Sequence, residues 1–305
     1  MDTAALKAAL CERVLDAGFV RVRILAPFDP SATPGVPEQY RAGAPSLLIA
    51  ALPYGNMHEP LPFVAGVAVI APFARRNYYR EGVQRLQRLG SDVRSQYGGK
   101  KSDFRILCNS PVPEKPLALA AGLGVLGRNG LISTPEAGSL SIIAAMTLPF
   151  PLEGDGLEPG IRSDHPFPRC VGCDPVCPPC VAACPTKALP GDGTLDRKRC
   201  IQWYASGHGT EIPPVVVRNW GNRLYGCTEC QDACIHNQGP IQGVASAEGP
   251  LPAYLDPLAL LSLSDGELKA RFKGTALGFS WLGPQGIRRN AHLAAGAASG
   301  NLPPH

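Results

Sequence analysis

Cysteine is the residue type with which this sequence could do the most chemistry. Of its eleven cysteines, only Cys11 and Cys108 lie outside residues 170–234. The others form an opening group, a single residue and a closing group: Cys170, Cys173, Cys177, Cys180 and Cys184, then Cys200, then Cys227, Cys230 and Cys234. Thiolates are nucleophiles and metal ligands, so cysteines at this density predict metal binding or redox chemistry.

The spacing within the opening group narrows that chemistry. Two residues separate Cys177 from Cys180, three separate Cys180 from Cys184, and Pro185 follows directly. Bacterial ferredoxins hold [4Fe–4S] clusters with this spacing, in which closely spaced thiolates reach neighbouring irons of one cubane and the last cysteine ligates the other cluster. The sequence therefore predicts two [4Fe–4S] clusters with four thiolates each.

The order of the cysteines assigns a ligand set to each cluster. For the first cluster we expect Cys173, Cys177 and Cys180, with Cys234 as the remote fourth ligand. For the second cluster we expect Cys184, Cys200, Cys227 and Cys230. Cys170 is then left over. Three residues separate Cys173 from Cys177 where two are usual, so Cys170 and Cys173 could exchange roles.

Disulfides and zinc are the competing interpretations of the cysteines. Disulfides suit secreted proteins, but the N-terminus lacks the basic start and long apolar core of a secretory signal. Tetrahedral zinc suits paired C-x2-C motifs, but it explains neither the Cys-Pro ending nor the number of ligands.

No apolar run approaches the roughly 18 residues of a membrane span. We therefore expect a cytoplasmic protein with no membrane partner.

The composition is that of a globular protein with many turns. Hydrophobic residues make up 45% and charged residues 18% of the chain, and Gly (34) and Pro (32) are frequent. The net charge of +4 is compatible with an anionic partner such as RNA, but it is too small to indicate one.

Hydrophobic periodicity predicts both helices and strands in the first half of the chain. Residues 3–17 and 80–94 have apolar residues at helical spacing, whereas residues 47–52, 64–71 and 140–148 are apolar runs of strand length. This mixture predicts an α+β fold.

A Pro-, Gly- and Asp-rich stretch at residues 149–168 is typical of a linker. We expect an α/β domain at residues 1–150, a cluster domain at residues 164–240 and a short helical C-terminal segment at residues 241–305.

A glycine-rich stretch at residues 122–130 contains the letters of a G-x-G-x-x-G dinucleotide motif. It follows a predicted helix instead of a strand, so its context does not support a Rossmann site. Four glycines in this stretch still mean that the backbone comes close to something, which could be another segment or a flat ligand.

In this order the motifs resemble those of the epoxyqueuosine reductase family over about residues 70–300. The resemblance is carried by Arg76-Asn-Tyr-Tyr79, Pro111-Val-Pro-Glu-Lys-Pro-Leu-Ala118, the glycine-rich stretch with Gly138-Ser139, the cysteine run through Cys184-Pro-Thr-Lys-Ala188, and Asp196-Arg-Lys-Arg-Cys200 with Gly221-Asn-Arg-Leu-Tyr-Gly-Cys227. A terminal Ile287-Arg-Arg-Asn-Ala291 also matches. The last cysteine-containing motif is the most specific.

The resemblance implies a nitroreductase-like α/β corrinoid-binding domain followed by a bacterial-type dicluster ferredoxin domain and a short helical C-terminus. Base-off cobalamin would lie between the two domains, and the clusters would pass single electrons to cobalt for removal of the epoxide oxygen of epoxyqueuosine in tRNA. The residues expected to line the corrin are Gly124, Gly127, Arg128, Asn129, Gly130, Gly138 and Ser139.

Four departures from the family pattern bear on this prediction. Cys108 stands where the family has the aspartate thought to protonate the opened epoxide, and Lys115 stands where it has an arginine. Ile235 replaces the proline after Cys234, and the chain ends near residue 305 without the helical-repeat region with which members grip tRNA. Cys108 could donate a proton as a thiol, ligate cobalt or attack a substrate as a thiolate, or be a buried core residue.

The sequence thus predicts a monomeric, corrinoid- and iron–sulfur-dependent oxidoreductase similar to epoxyqueuosine reductase. Its expected partners are a low-potential donor of the flavodoxin or ferredoxin type and, as a candidate substrate, tRNA. One alternative is a related corrinoid reductase that acts on a small molecule by dehalogenation or epoxide reduction. The other is a dicluster electron-transfer protein without cobalamin.

Overall fold

The computed structural model describes residues 2–33, 35–37, 43–54, 62–156, 179–209, 211–239, 241 and 249–298. The first part contains α1 (Thr3–Asp16), β1 (Arg21–Leu25), β2 (Ser46–Pro53), β3 (Ala68–Ile70), α2 (Tyr78–Tyr97), β4 (Ile106–Leu107), α3 (Glu114–Ala120), β5 (Val125–Leu126), β6 (Ile132–Ser133) and β7 (Ser141–Leu148). The second part contains α4 (Pro179–Ala182), α5 (Ile201–Ala205), α6 (Pro214–Arg218), β8 (Arg223–Tyr225), α7 (Glu229–Asp232), β9 (Tyr254–Leu255), α8 (Pro257–Leu261), α9 (Asp265–Phe272) and α10 (Gly283–Ala298).

The main sheet is antiparallel with strand order β1-β2-β7-β4, and helices cover both of its faces. All eight residues of β2 are buried, as expected for a continuous apolar run between two layers. Leu48 and Leu52 pack with α1 and α2, whereas Leu47 and Ile49 pack with α3. Because side chains alternate along a strand, one apolar segment completes both cores.

Helix α2 lies across the first face and begins where its sequence supplies a cap. The Asn77 side chain accepts a hydrogen bond from the backbone N–H of Arg80 (2.9 Å), which starts the helix slightly before the predicted residue 80. The buried residues Leu86, Leu89 and Val93 confirm the predicted apolar face.

A second, three-stranded sheet joins segments that are far apart in the sequence. Its order is β8-β3-β9, with β3 parallel to β8 and antiparallel to β9. Asn222 and Gly226 explain part of this contact. The Asn222 amide donates to the carbonyls of Val64 (3.3 Å) and Val67 (3.2 Å), and a Cβ at Gly226 would lie 2.2 Å from the Ala71 Cβ.

The position of β3 bears on the domain organisation. A strand was predicted at residues 64–71, and the observed strand β3 is shorter, at Ala68–Ile70. Strand β3 pairs with strands from the other two predicted domains. The domain bounds at 150, 164 and 240 stay a prediction. Of the linker predicted at residues 149–168, residues 157–168 lie outside the described residues.

The C-terminal helices pack on this second sheet. Helices α8 and α9 lie within the C-terminal segment that the sequence predicted to be helical. In α10 the Asn290 side chain is fully buried and donates to the carbonyls of Ala205 (2.8 Å) and Leu224 (2.9 Å). The terminal motif thereby ties α10 to α5 and to β8, the two elements next to Cys200 and Cys227. Among the described residues, no helix is both long and apolar enough to cross a membrane.

Candidate functional site

The structure brings together the four cysteines predicted to bind the second cluster. Burial, followed by the neighbouring thiols of Cys227, Cys200, Cys184 and Cys180, raises the pKa of Cys230 well above its ordinary value. Such mutual influence requires proximity, because the interaction between charges falls with distance. Buried thiols with raised pKa values keep their protons at neutral pH. A bound cation would deprotonate them.

Each of these thiols is held by a different local structure. Cys184 follows α4 and its Sγ accepts the backbone N–H of Ala188 (3.2 Å), the kind of hydrogen bond that tunes a cluster's potential. Cys200 occupies the N-cap position of α5, Cys227 follows β8, and Cys230 lies in α7. Within the described residues, no three His, Cys, Asp or Glu side chains form a group that could hold a single metal ion.

The ligands predicted for the first cluster are described only in part. Cys180 is buried in α4, which packs against α7, and Cys234 is half-buried after α7. Cys173 and Cys177 lie outside the described residues, as does Cys170. The first ligand set, including the exchange between Cys170 and Cys173, therefore stays a prediction.

A cavity of about 380 Å³ lies between the main sheet and the second-cluster thiols. Tyr54, Tyr79, Asn129 and Ser139 line it from the first part of the chain, and Gln202, Tyr225 and the thiols of Cys184, Cys200, Cys227 and Cys230 line it from the second. Its volume lies in the range of small-molecule and cofactor sites, about 300–1,000 Å³. The second cluster would therefore face this space directly.

Two buried polar atoms of residues that line the cavity favour a bound ligand. The Tyr78 hydroxyl and the Gln202 Oε1 are inaccessible to solvent and have no hydrogen-bond partner among the described residues. Leaving a buried polar group unsatisfied costs about 1–3 kcal/mol. A polar cofactor or substrate that meets these atoms would recover that free energy, so the residues present fit a bound polar group.

The residues predicted to line a corrin divide into two groups. Asn129 and Ser139 line the cavity. The other five are not among the described residues that line it: Gly124, Gly127, Arg128, Gly130 and Gly138. Arg128 instead donates to the carbonyl of Gly191 (3.1 Å), so it joins the glycine-rich stretch to the cluster part of the chain.

The glycines are explained by contacts between protein segments. A Cβ would lie 2.4 Å from the Ser133 carbonyl at Gly124, 2.6 Å from the Asn129 side chain at Gly127, and 2.9 Å from the Gly193 carbonyl at Gly130. Of the two explanations that the sequence left open, the structure supports close approach of another segment. Any role of these glycines at a cofactor stays a prediction.

A substitution at Gly138 tests how tightly the two parts of the chain fit. Gly138 has φ +51°, and an added Cβ would lie 2.1 Å from Asn237 Oδ1. We expect Gly138→Ala to lower the free energy of unfolding by more than the roughly 1–2 kcal/mol of the backbone conformation alone. Gly66→Ala is the matched control, because Gly66 has φ +79° and open space around it. Thermal denaturation of both variants measures the difference, and equal losses would contradict a tight contact.

A buried hydrogen-bond network connects this region to the cluster helix α7. The Ser139 N–H donates to Asn237 Oδ1 (2.8 Å), and the Asn237 amide donates to the Gln231 carbonyl (2.8 Å). Gln231 Nε2 donates to the Ser139 carbonyl (2.8 Å) and to the Tyr54 hydroxyl. All four residues are buried. The network holds Cys230 next to the cavity wall, since Cys230 precedes Gln231 in α7.

Sequence reasoning singled out Ser139, as a residue expected to line a corrin, but missed this network and the roles of Tyr54, Gln231 and Asn237. Gln231 falls within the cysteine motif as Cys-Gln-x-x-Cys, and a glutamine held between two cluster cysteines could have signalled a positioning role. Nothing in the local pattern marks Tyr54, because its partners are contributed by distant segments.

Cys108 directly follows β4. The described residues that line the cavity include its neighbour Asn109 but not Cys108 itself. Its Sγ contacts the Tyr79 carbonyl oxygen (3.7 Å) and packs beside Gly82 of α2. Burial, followed by the nearby carboxylate of Glu114, raises the pKa of Cys108 to about 12. The thiol is therefore protonated at neutral pH, so it carries a proton that it could donate and is not a thiolate nucleophile.

Two residues at the start of α3 line the cavity. Glu114 accepts the N–H of Ser110 (3.0 Å), and burial raises its pKa. Lys115 donates to the Gly130 carbonyl (2.6 Å), and burial lowers its pKa. The lysine at the family's arginine position thus supports the glycine-rich stretch with a single hydrogen bond.

Comparison with known proteins agrees with this geometry. Residues 169–237 match a family described as a 4Fe-4S double cluster binding domain. The epoxyqueuosine reductase of Bacillus subtilis is 36% identical over 183 residues, which cover 59% of this chain and 44% of that protein. The chain spans about half the length, or less, of three of the curated relatives that it matches.

Solved structures extend the similarity to almost the whole chain. One is the structure of Bacillus subtilis epoxyqueuosine reductase, in which the catalytic aspartate loop is swung out of the active site. It has a TM-score of 0.77 and is 26% identical, and the match covers 97% of this chain and 82% of that one. An epoxyqueuosine reductase with an epoxyqueuosine-modified tRNA-Tyr stem loop has the same TM-score and coverage and is 25% identical. These matches confirm the predicted α+β fold class. Together with the cysteine-lined cavity and the double-cluster domain, they show that the chain belongs to the epoxyqueuosine reductase family.

Proposed function

We propose that this chain is a corrinoid- and iron–sulfur-dependent reductase that converts epoxyqueuosine to queuosine in tRNA. The observation that carries the proposal is the shared cavity, in which the thiols of the second-cluster set face the aromatic and polar residues of the α/β part. A cluster held there would be separated from a bound cofactor by no intervening layer of protein. The relatives and solved structures that carry this enzyme's name support the same function.

The chain's own residues would hold the two kinds of cofactor in different ways. The cysteines supply thiolates to two [4Fe–4S] clusters. Asn129, Ser139, Tyr78 and Gln202 offer polar atoms to cobalamin at the cavity wall. Bound cobalamin would supply low-valent cobalt, a reductant strong enough for removal of an epoxide oxygen. The buried network around Gln231 keeps α7 in place and excludes water from this side of the cavity.

Cys108 is proposed as the proton donor to the oxygen that leaves. Its thiol is protonated at neutral pH, and it begins the connection between β4 and α3, in which Asn109 has φ +50°. In the Bacillus subtilis relative the catalytic aspartate loop has been seen swung out of the active site. A similar movement of the connection that begins at Cys108 would bring the thiol to the cavity when substrate binds.

The remaining parts of the proposal concern partners and location. A low-potential donor of the flavodoxin or ferredoxin type would reduce the first cluster, and electrons would pass through the second cluster to the cavity. We propose that the protein acts as a monomer in the cytoplasm, where tRNA is available.

Metal analysis after anaerobic purification with cobalamin supplied tests the proposal. We expect about eight irons and about one cobalt per chain, together with turnover of an epoxyqueuosine-containing tRNA stem loop. The same iron without cobalt would contradict the corrinoid mechanism and favour an electron-transfer protein. Iron and cobalt without turnover would favour a small-molecule substrate, and zinc in place of iron would contradict the cluster assignment.

A further inference from the structure

Three aromatic side chains from distant segments meet beside the cavity. Phe279 and Trp281 stack with ring centroids 4.1 Å apart and an interplanar angle of 15°, and the Tyr79 ring lies 6.4 Å from Phe279. Phe279 and Tyr79 also line the cavity. We call Tyr79, Phe279 and Trp281 the aromatic platform.

The platform is exposed although its residues are apolar. Trp281 is 43% and Tyr79 38% exposed, whereas Phe279 is half-buried beneath the tryptophan. Most large apolar side chains near this site are buried, so the exposed indole is a surface on which a further ring can stack.

The surrounding backbone holds the platform rigidly. A Cβ at Gly207, which has φ +93°, would lie 2.4 Å from the Trp281 carbonyl oxygen, so the segment is pressed against the turn after α5. The Trp281 side chain also hydrogen-bonds to Tyr225, which lines the cavity. A preorganised ring loses little conformational entropy on binding, which favours its use as a contact surface.

Basic side chains lie next to the platform. Arg80 directly follows Tyr79, is exposed, and its Nη1 lies 3.8 Å from the position of a Cβ at Gly274. Lys273 is the preceding residue and is also exposed. Flat aromatic rings beside cations match an unpaired nucleobase and its phosphate, the combination by which single-stranded RNA is usually recognised.

From this juxtaposition we propose that the aromatic platform stacks an unpaired base of the RNA loop while the neighbouring nucleotide occupies the cavity. The inference rests on the proposed function, since it deepens how the RNA substrate is held. The base stacks on Trp281 at the mouth of the cavity, and Arg80 and Lys273 contact the backbone phosphate. The contact needs no modified nucleotide, because every base has a π-face.

Binding of an unmodified RNA hairpin to the purified holoprotein tests this proposal. Trp281→Ala should raise the Kd by about tenfold, as expected for about 1.4 kcal/mol of lost base stacking. Trp281→Phe should keep the Kd within about threefold, because the ring remains. Leu258→Ala is the control, since Leu258 is 66% exposed on α8. A continuous RNA duplex, whose bases are already stacked, should bind all variants equally.

A 2-aminopurine placed at successive loop positions reports the stacked base directly. Its fluorescence should be quenched at one position by the wild type and by Trp281→Phe, and not by Trp281→Ala. An unchanged Kd for Trp281→Ala, an equal loss on hairpin and duplex, or no binding of the hairpin by the wild type would each overturn the platform. Epoxyqueuosine turnover with an unchanged KM in Trp281→Ala would overturn the platform alone and leave the proposed function standing.

Discussion

Cys230→Ser should remove the second cluster and abolish reduction. Cys230 lies in α7 beside the cavity, and Cys180, the nearby thiol outside its set, is assigned to the first cluster. We expect iron to fall from about eight to about four per chain. Turnover should fall by more than about 100-fold, beyond the 10–100-fold that changes outside the ligand set typically cost.

Cys11→Ser is the matched control for this experiment. Cys11 is a half-buried residue of α1, outside both predicted ligand sets. The same change of sulfur to oxygen there should leave iron content and turnover within about twofold of the wild type. Electron paramagnetic resonance of the reduced protein should show the signal of one cluster in Cys230→Ser and of two in Cys11→Ser. Full iron and turnover in Cys230→Ser would show that the second cluster is bound differently.

Cys108→Ala should lower turnover by about 10²–10⁴-fold if the thiol donates the proton, which is the usual contribution of a general acid. Iron and cobalt content should not change, because Cys108 lies outside the cluster part of the chain. Loss of the thiol from a partly buried site should lower the free energy of unfolding only modestly, by about 1 kcal/mol. Full turnover in Cys108→Ala would instead identify Cys108 as a packing residue.

The pH dependence separates the thiol from a carboxylic acid at the same position. Burial raises the pKa of Cys108 to about 12, so its proton is present throughout the neutral range and this group causes no loss of activity there. In Cys108→Asp the proton would be lost as the pH rises through the much lower pKa of a carboxyl group. Between about pH 5 and about pH 9, turnover should therefore decline with rising pH in Cys108→Asp and not, through this group, in the wild type. Parallel profiles for the two proteins would contradict the proposed role.

Much of the fold could be predicted because its elements carry local signals. The apolar run of β2 and the start of α9 are examples, since a Ser264–Glu267 capping box marks the latter. The four thiols of the second cluster could also be predicted to meet, because the Cys-Pro ending at Cys184 and the C-x2-C pair of Cys227 and Cys230 are typical of cluster-binding segments. In these cases each signal is written within a few neighbouring residues, although the signals themselves lie in separate segments.

Other features could not be predicted because their causes lie far away in the sequence. The glycines at 124, 130 and 138 mark close approach, but only the structure identifies the approaching groups as Ser133, Gly193 and Asn237. Whether Cys108 faces the cavity depends on the path of a short irregular connection, which periodicity does not specify. The aromatic platform combines residues some 200 positions apart, and neither segment is unusual alone.

The β8-β3-β9 sheet has a consequence for the order in which the protein is made and folds. Val69 pairs with Arg223 and with Tyr254, so its partners leave the ribosome roughly 150 or more residues later. Within the described residues the last strand of the main sheet ends at Leu148, so this sheet can form early, whereas β3 waits as an unpaired apolar segment. Strand β8, which shortly precedes Cys227, is fixed in position only when this late pairing forms. Insertion of the second cluster should therefore come near the end of folding, after synthesis has passed β9.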